Sequence, residues 1–495
     1  MSLDTSTGRS YSFDRVFLDG AWVSPSTDDV FDVRSPHDGR AVGSAPIASE
    51  SDVDRAVAAA RHAFDEGPWP QMTVAERIAA LRPFVEAYAT RTAELATLVT
   101  AEMGSPATFS EPAHGLGPLL LMQATLGFAE SYPWTERRGT SMLVREPAGV
   151  VGIITPWNVP QVTIVAKLLP ALIAGCAVVV KPAPETPLDA MLLAELLADA
   201  DLPPGVVAVL PGATPAGLRL VEHPDVDRIA FTGSADVGRV IAATCGRRLA
   251  RCSLELGGKS AAIVCEDASL ERTVAGLRFS SFLNNGQACV AQSRILAPRS
   301  RYDEVVQALA EAADGFVVGD PSAKSTDIGP LVSARQRDRV RGYIDVGVAE
   351  GATLAAGGSD DIEGLADGQY VRPTVFRDVD NSMRIAREEI FGPVIVVIPY
   401  DDVDDAVRIA NDSPYGLGGS VWTKDRQQGL AIARRVRTGM FGINSFAPEF
   451  GVPFGGFKAS GIGREYGPEA FDEYVEMKSV YGVPAGASEA TGENA

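Results

Sequence analysis

Histidine and lysine are scarce in this chain of 495 residues, with 4 His and lysine only at positions 167, 181, 259, 324, 424, 458 and 478. The histidines (His37, His62, His114, His223) are scattered, and no Cys-x-x-Cys or Cys/His cluster accompanies them, which argues against a zinc site. The five cysteines are Cys176, Cys245, Cys252, Cys265 and Cys289, an odd number without paired spacing, as expected of reduced thiols rather than a disulfide framework. Basic charge is in deficit: the net charge of −20 repels nucleic acid and anionic membrane surfaces at long range. No apolar run spans a membrane, since Leu168 to Val180 is broken by Pro170 and Gly175 and stopped by Lys181. The opening MSLDTSTGRSYSFD has neither the basic nor the apolar region of a secretory signal, so a cytoplasmic protein is expected.

What is present is ordinary for a globular chain, 46% hydrophobic and 22% charged, and long enough for two or three structural units. Residues 1–12 and 485–495 read as mobile tails. Between them strand and helix patterns alternate, predicting an α/β architecture. From Ala148 onward the sequence predicts strands at Val150–Thr155, Ala177–Val180, Val206–Leu210 and Arg228–Thr232. It predicts helices near Val162–Ala174 (with a possible kink at Pro170), Leu188–Ala200, Ala216–Glu222 and Asp236–Cys245. That order is a doubly wound nucleotide-binding pattern, whose ligands sit at the carboxyl ends of the strands. Trp157-Asn158, Lys181 and Gly233-Ser234 fall at those ends. A second α/β unit starts after Lys259, with strand Ser260–Val264 and a helix over about Ser269–Leu283. Phe471–Tyr481 reads as a strand and a possible oligomer edge.

Three constellations carry chemistry. Phe231-Thr-Gly-Ser234 joins a strand to a helix and can hold a pyrophosphate, or be a plain N-cap. The G-x-G-x-x-G spacing is absent, so the ordinary Rossmann fingerprint is not met. Cys289 follows the turn-forming Asn284-Asn285-Gly286 at a helix-to-loop junction, where a thiolate can attack an aldehyde carbon. The other four cysteines fit buried structural positions better. In Glu255-Leu-Gly-Gly-Lys259 a desolvated carboxylate can serve as general base, or simply pair with Lys259 across a turn.

Taken together, Pro156-Trp-Asn158, Phe231-Thr-Gly-Ser234, Glu255-Leu-Gly-Gly-Lys259, Gly286-Gln-Ala-Cys289, Glu388-Glu-Ile-Phe-Gly-Pro393, Asn444 and Pro453-Phe-Gly-Gly-Phe-Lys-Ala-Ser-Gly461 resemble the signature blocks of the aldehyde dehydrogenase superfamily. They stand in the family's order and cover the chain from about Phe17 to Tyr481. The resemblance implies a Rossmann-type NAD(P)-binding domain (1–132 and 147–255), an α/β catalytic domain (256–446), a small β oligomerisation element (133–146 and 471–489) and a return segment (447–470). It implies a homo-dimer or homo-tetramer, and a small-molecule aldehyde as substrate.

By the same resemblance Cys289 is the nucleophile, forming a thiohemiacetal and then a thioester. Asn158 and the Cys289 N–H hold the oxyanion, and Glu255 activates the hydrolytic water. Glu476 matches a proton-relay position, or is a surface charge. Ile154, Thr155, Pro156, Trp157, Lys181, Pro184, Gly217, Phe231, Thr232, Gly233, Ser234, Val237, Leu256, Gly257, Glu389 and Phe391 match cofactor-binding positions. Lys181 and Glu389 match those at the two riboses. Pro184 stands where NAD-preferring members often carry Glu, so NAD is favoured with NADP tolerated, Glu185 being able to swing in. Val159, Val162, Ala166, Leu283, Phe446 and Phe454 match the substrate tunnel, or are ordinary core. No Arg for a carboxylate tail and no aromatic cage for a quaternary ammonium occur, so a neutral hydrophobic aldehyde is expected. The alternatives are a CoA-acylating semialdehyde dehydrogenase, which would not need Glu255; a Cys–His hydrolase, for which no His flanks a signature block; and a non-catalytic structural relative, which would not need Cys289, Glu255 and Asn158 together.

Overall fold

The computed structural model describes residues 11–484, so the expected tails lie outside the described residues except for Tyr11 and Ser12. Those two are not tail: they pair in parallel with Gly43 and Ser44, because the Tyr11 ring is buried and its hydroxyl donates to Glu94 (3.0 Å).

Alternating β-branched residues build the first sheet. In Val150–Ile154, Val150 and Ile154 face one core while Val151 and Ile153 face the other, so the strand is buried on both sides. Five parallel strands run in the spatial order Arg251–Glu255, Arg228–Thr232, Val150–Ile154, Ala177–Lys181, Val207–Val209. The chain direction of winding therefore reverses between Val150–Ile154 and Arg228–Thr232, which makes their carboxyl ends the crevice for a ligand. Helices Pro160–Ala174 and Pro187–Ala198 cover one face; Glu50–Asp65, Thr214–Glu222 and Ala235–Arg248 cover the other. Pro170 lies inside its helix and does not end it.

The second sheet is also mainly parallel, in the order Thr353–Ala356, Thr374–Arg377, Val394–Tyr400, Arg294–Pro298, Ala261–Val264, Gly419–Trp422, Gly442–Ile443. Only Thr353–Ala356 is antiparallel. A third, three-stranded antiparallel sheet joins Thr135–Arg138, Ser141–Pro147 and Val475–Val480. The expected strand from Phe471 begins later: Pro468–Tyr474 is a 3-10 helix, entered through Gly467 at φ 62°, and it buries Phe471 and Tyr474. No described helix is long and apolar enough to cross a membrane.

One packing feature is chemically unusual. Glu102 is buried and accepts from the backbone N–H groups of Leu188 (2.8 Å) and Asp189 (3.1 Å), capping the helix Pro187–Ala198. Asp189 is itself buried, takes a hydrogen bond from Gln161 Nε2 (2.5 Å), and is pushed up to about 7 by burial. Two carboxyls so placed keep a proton that the unfolded chain releases, so stability falls as pH rises from about 4 through about 7. Asp189→Asn should flatten that fall, on the order of 2 kcal/mol between pH 5 and 8, in urea unfolding; an unchanged pH dependence would remove the pair from the account.

Candidate active site

Each strand end of the first sheet delivers a polar group to one crevice. The strand Val150–Ile154 leads into Thr155-Pro-Trp-Asn158, Ala177–Lys181 ends on Lys181, Arg228–Thr232 on Gly233-Ser234, and Arg251–Glu255 on Glu255. Opposite them stand the segments that precede strands of the second sheet: Leu256–Ser260, the loop of Cys289, and Glu389-Ile-Phe391. The chain crosses from Glu255 to Ala261 directly, and the crossing is tight. A Cβ on Gly257 would lie 2.2 Å from Glu389 Oε2, and one on Gly258 would lie 2.5 Å from the Cys289 carbonyl oxygen. Side chains are excluded there by close approach.

Cys289 is half-buried in an apolar cluster with Leu283, Ala288, Val290, Leu417, Met440, Phe446 and Phe454. Burial, then the charges of Glu389 and Glu255, push the thiol well above the usual cysteine range. Asn158 is buried and its Nδ2 donates to the Gln287 carbonyl (2.9 Å), which ties the amide to the cysteine loop. Of the other cysteines, Cys176, Cys245 and Cys265 are buried and Cys252 is half-buried.

Glu255 is buried, and both its oxygens are without a hydrogen-bond partner among the described residues. Burial raises its pKa first; repulsion from Glu465 adds to this and Lys167 opposes it. The turn salt bridge with Lys259 does not form. Lys259 Nζ is buried without a partner, and burial lowers it to about 7. Instead Lys167, from the helix Pro160–Ala174, pairs with Glu465 and donates to Thr232 Oγ1 (2.6 Å). Of the two readings of Glu476, a relay position or a surface charge, its surroundings in the structure are those of a surface charge. Glu476 pairs with Arg251 (2.6 Å) at the far end of the strand that carries Glu255, and its side chain is 45% exposed. Glu465 and Lys167 are the ionisable groups beside the base, and sequence reading missed both. The signal available was a lysine inside an apolar helix.

The crevice also has a cofactor-shaped cradle. Ser234 caps the helix Ala235–Arg248, accepting from Val237 N (3.4 Å), and leaves the other first-turn N–H groups open to an anion. Lys181 is held by the carbonyls of Pro182 (2.8 Å) and Gly212 (2.7 Å), and burial lowers it to about 8. The lack of a side chain on Gly217 leaves its stem room, a Cβ there lying 3.3 Å from Lys181 Cε. Thr155 Oγ1 is buried without a partner among the described residues. Glu389 accepts from Gly258 N (2.9 Å) and is raised to about 7 by burial. The Trp157 and Phe391 rings meet edge to face at 5.4 Å. Ile154, Phe231 and Leu256 are buried behind this surface, Thr232 and Pro156 are half-buried, and Val237 and Pro184 are exposed. Glu185 does not turn inward; it pairs with Arg335 (3.2 Å).

The model of the aldehyde dehydrogenase family matches residues 22–480. The chain belongs to the aldehyde dehydrogenase family. It is 46% identical over 471 residues to a geranial dehydrogenase from Castellaniella defragrans, covering 94% of this chain and 98% of that protein. It is 42% identical to a 3-succinoylsemialdehyde-pyridine dehydrogenase from a Pseudomonas species, covering 94% of this chain and 98% of that one. Its structure is similar to that of an aldehyde dehydrogenase from Mycobacterium tuberculosis complexed with NAD+ (TM-score 0.94, 49% identity, 97% of this chain and 100% of that). It is similar also to a mutant aldehyde dehydrogenase C from Pseudomonas syringae complexed with NAD+ and octanal (TM-score 0.93, 39% identity, 96% and 98%). The α/β architecture is thus that of the family, and the protein is an oxidoreductase of aldehydes.

Of the expected tunnel residues of this aldehyde dehydrogenase, Leu283, Phe446 and Phe454 pack around Cys289. Val162 and Ala166 belong to the main core, and Val159 is half-buried at the start of the same helix. Two residues not foreseen, Phe450 and Tyr466, bridge the groups: both the Phe450 and Phe454 rings pack on Tyr466, at 5.3 and 5.2 Å.

A Glu255 that acts as base must be ionised, and activity would then rise with pH through its pKa. Glu465→Gln removes the repelling carboxylate and leaves the Lys167 cation unpaired; both effects lower that pKa. The acid limb of the kcat–pH profile should therefore move to lower pH, and a limb that stays or moves up would detach Glu465 from Glu255.

Proposed function

We propose that this aldehyde dehydrogenase oxidises neutral, apolar aldehydes to carboxylic acids through a covalent intermediate on Cys289. The observation that carries this is a buried Glu255, without a hydrogen-bond partner among the described residues, whose charge acts on the Cys289 thiol, with the Asn158 amide tied to the cysteine loop through the Gln287 carbonyl. The sulfur attacks the carbonyl carbon as its proton leaves to Glu255. The developing oxyanion accepts from the second N–H of Asn158 Nδ2 and from the Cys289 N–H, about 3–4 kcal/mol per donor in such sites. A nicotinamide bound in this crevice would supply the acceptor for the hydride of the tetrahedral carbon, and Cys289 would then carry a thioester. Glu255 passes the thiol proton to solvent and, ionised again, takes a proton from the water that attacks the thioester carbon; the C–S bond breaks, the leaving thiolate takes that proton back from Glu255, and the thiol is regenerated with the acid.

The residues of the crevice fit an NAD(P) molecule. The open first turn at Ser234 suits the pyrophosphate, Lys181 and Glu389 suit the two ribose hydroxyl sets, and Trp157 and Phe391 supply walls. Gly217, Thr155 and Val237 border the same space. NAD is the favoured form with NADP accepted, because Pro184 offers no side-chain acceptor and Glu185 is engaged by Arg335. A neutral substrate is supported by the apolar ring of Leu283, Phe446 and Phe454 around Cys289, and by the names geranial and octanal among the relatives. We assign the exposed face around Met477, Val480 and Tyr481 on the third sheet to a homo-dimer or homo-tetramer contact, and the protein to the cytoplasm.

Cys289→Ala should abolish aldehyde-dependent NADH formation. Glu255→Gln should give at most one equivalent of NADH per subunit and then stall, seen by rapid-mixing absorbance; steady turnover in that variant would overturn the base assignment. A second variant addresses the cofactor: Arg335→Ala releases Glu185, so the NADP dissociation constant should rise relative to that of NAD in fluorescence titration.

A further inference from the structure

The turn before the nucleophile contains two consecutive asparagines, Asn284 and Asn285, both in the left-handed region at φ 52° and 62°. Asparagine tolerates that backbone better than most residues, which explains the residue type but not what the side chains do. They do different things. Asn285 anchors the turn to the scaffold, donating to the carbonyls of Gly104 and Pro330 (both 2.9 Å) and accepting from Gly329 N (2.7 Å). Asn284 turns the other way: its Nδ2 donates to the backbone carbonyl of Asn158 (2.8 Å) and, more weakly, to that of Gln287 (3.4 Å).

Gln287 O is the same oxygen that accepts from Asn158 Nδ2. Gln287 N in turn donates to Asn284 O (3.0 Å). One carboxamide, buried to within 2% of its surface, thus grips both the residue that carries the oxyanion-binding amide and the carbonyl on which that amide rests. Its remaining oxygen has no partner among the described residues and faces His114.

We propose that Asn284 is the positioning residue of the oxyanion site, fixing the Asn158 amide against the cysteine loop so that its second N–H meets the developing charge. This rests on the proposed role of Asn158. Among the described residues, the side-chain hydrogen bonds that join Asn158 to the Gln287 loop are those of Asn158 Nδ2 and Asn284 Nδ2. Without the Asn284 donor, the Asn158 backbone and the Gln287 carbonyl are free to separate. Small misplacement of a group at the reacting atoms is costly, on the order of a hundredfold in rate for about 1 Å.

The test is a double-mutant cycle. Asn284→Gly keeps the left-handed turn unstrained while removing the carboxamide. It should lower kcat about 10- to 100-fold, with the aldehyde KM, the NAD dissociation constant and Tm little moved. In an Asn158→Ala background the same change should cost less than about threefold, because the amide it positions is gone. A merely structural role would multiply the two losses, and that result overturns the proposal. Loss of nothing in Asn158→Ala alone would instead overturn the oxyanion assignment beneath it. Should the Gly chain fail to fold, Asn284→Asp carries the same cycle, since its carboxylate keeps the size and turn preference but cannot donate to either carbonyl. The matching Asn285→Gly cycle should be multiplicative, whatever its effect on Tm.

Discussion

The whole site depends on one short crossing of the chain between two parallel sheets. Glu255 ends a strand of the first sheet and Ala261 begins a strand of the second, with Leu256 to Ser260 between them. Carboxyl ends of one sheet therefore face segments entering the other, and Glu255, Asn158, Cys289 and Glu389 all come from one of those two sets. The crossing passes so close to Glu389 and to the Cys289 carbonyl that Gly257 and Gly258 have no space for a side chain. An added Cβ would push apart the carboxylate, the thiol loop and the strand end together. The same closeness removes water, and desolvation is the first cause of the shifts at Cys289, Glu255, Glu389, Lys181 and Lys259.

Desolvation has a consequence for how the nucleophile works. A thiol activated at rest would need a cation or a helix N-terminus beside it. Cys289 has the opposite surroundings, with Glu389 and Glu255 both opposing its ionisation. On the proposed mechanism the proton therefore stays on sulfur until a carbonyl is there to be attacked. Charge then leaves the sulfur for the oxyanion, where the Asn158 and Cys289 N–H donors wait, instead of accumulating near the carboxylates.

The first sheet was the most legible part of the molecule. Arg228–Thr232 was placed residue for residue, and Ala177–Lys181 and the helices around it to within a few positions, because strands buried on both faces write continuous β-branched runs. The strand expected from Phe471 failed at its start because Gly467 and Pro468 force a 3-10 turn, and Phe471 and Tyr474 are apolar for the core's sake. Long-range electrostatics were not legible at all. Lys167 and Glu465 meet across 298 positions of sequence, and nothing in either local pattern announces it. Glu476 was singled out by its neighbourhood in the sequence, whereas the antiparallel pairing of Val475–Val480 with Ser141–Pro147 carries it to Arg251 at the surface. The signature blocks located the chemistry, but only folding says which charge belongs to which.

That distinction decides whether Glu255 is a base. Read as a hexapeptide, Glu255 and Lys259 invite a salt bridge, and a paired carboxylate would have a lowered pKa and little tendency to take a proton. In the structure the two do not pair, and Lys259 Nζ is buried without a hydrogen-bond partner among the described residues. Lys259 meets the field of Glu389 and Glu388 instead. The cations whose charge reaches Glu255 are Arg464 and, more strongly, Lys167, whose hydrogen bonds go to Glu465, Thr232 and the Thr163 carbonyl. Its attraction for Glu255 is thus offset by the repulsion of the very carboxylate it pairs with, and burial is left to set the pKa. Lys167 thus pairs with Glu465 and leaves Glu255 without a hydrogen bond among the described residues, which suits Glu255 to the role of base proposed for thioester hydrolysis.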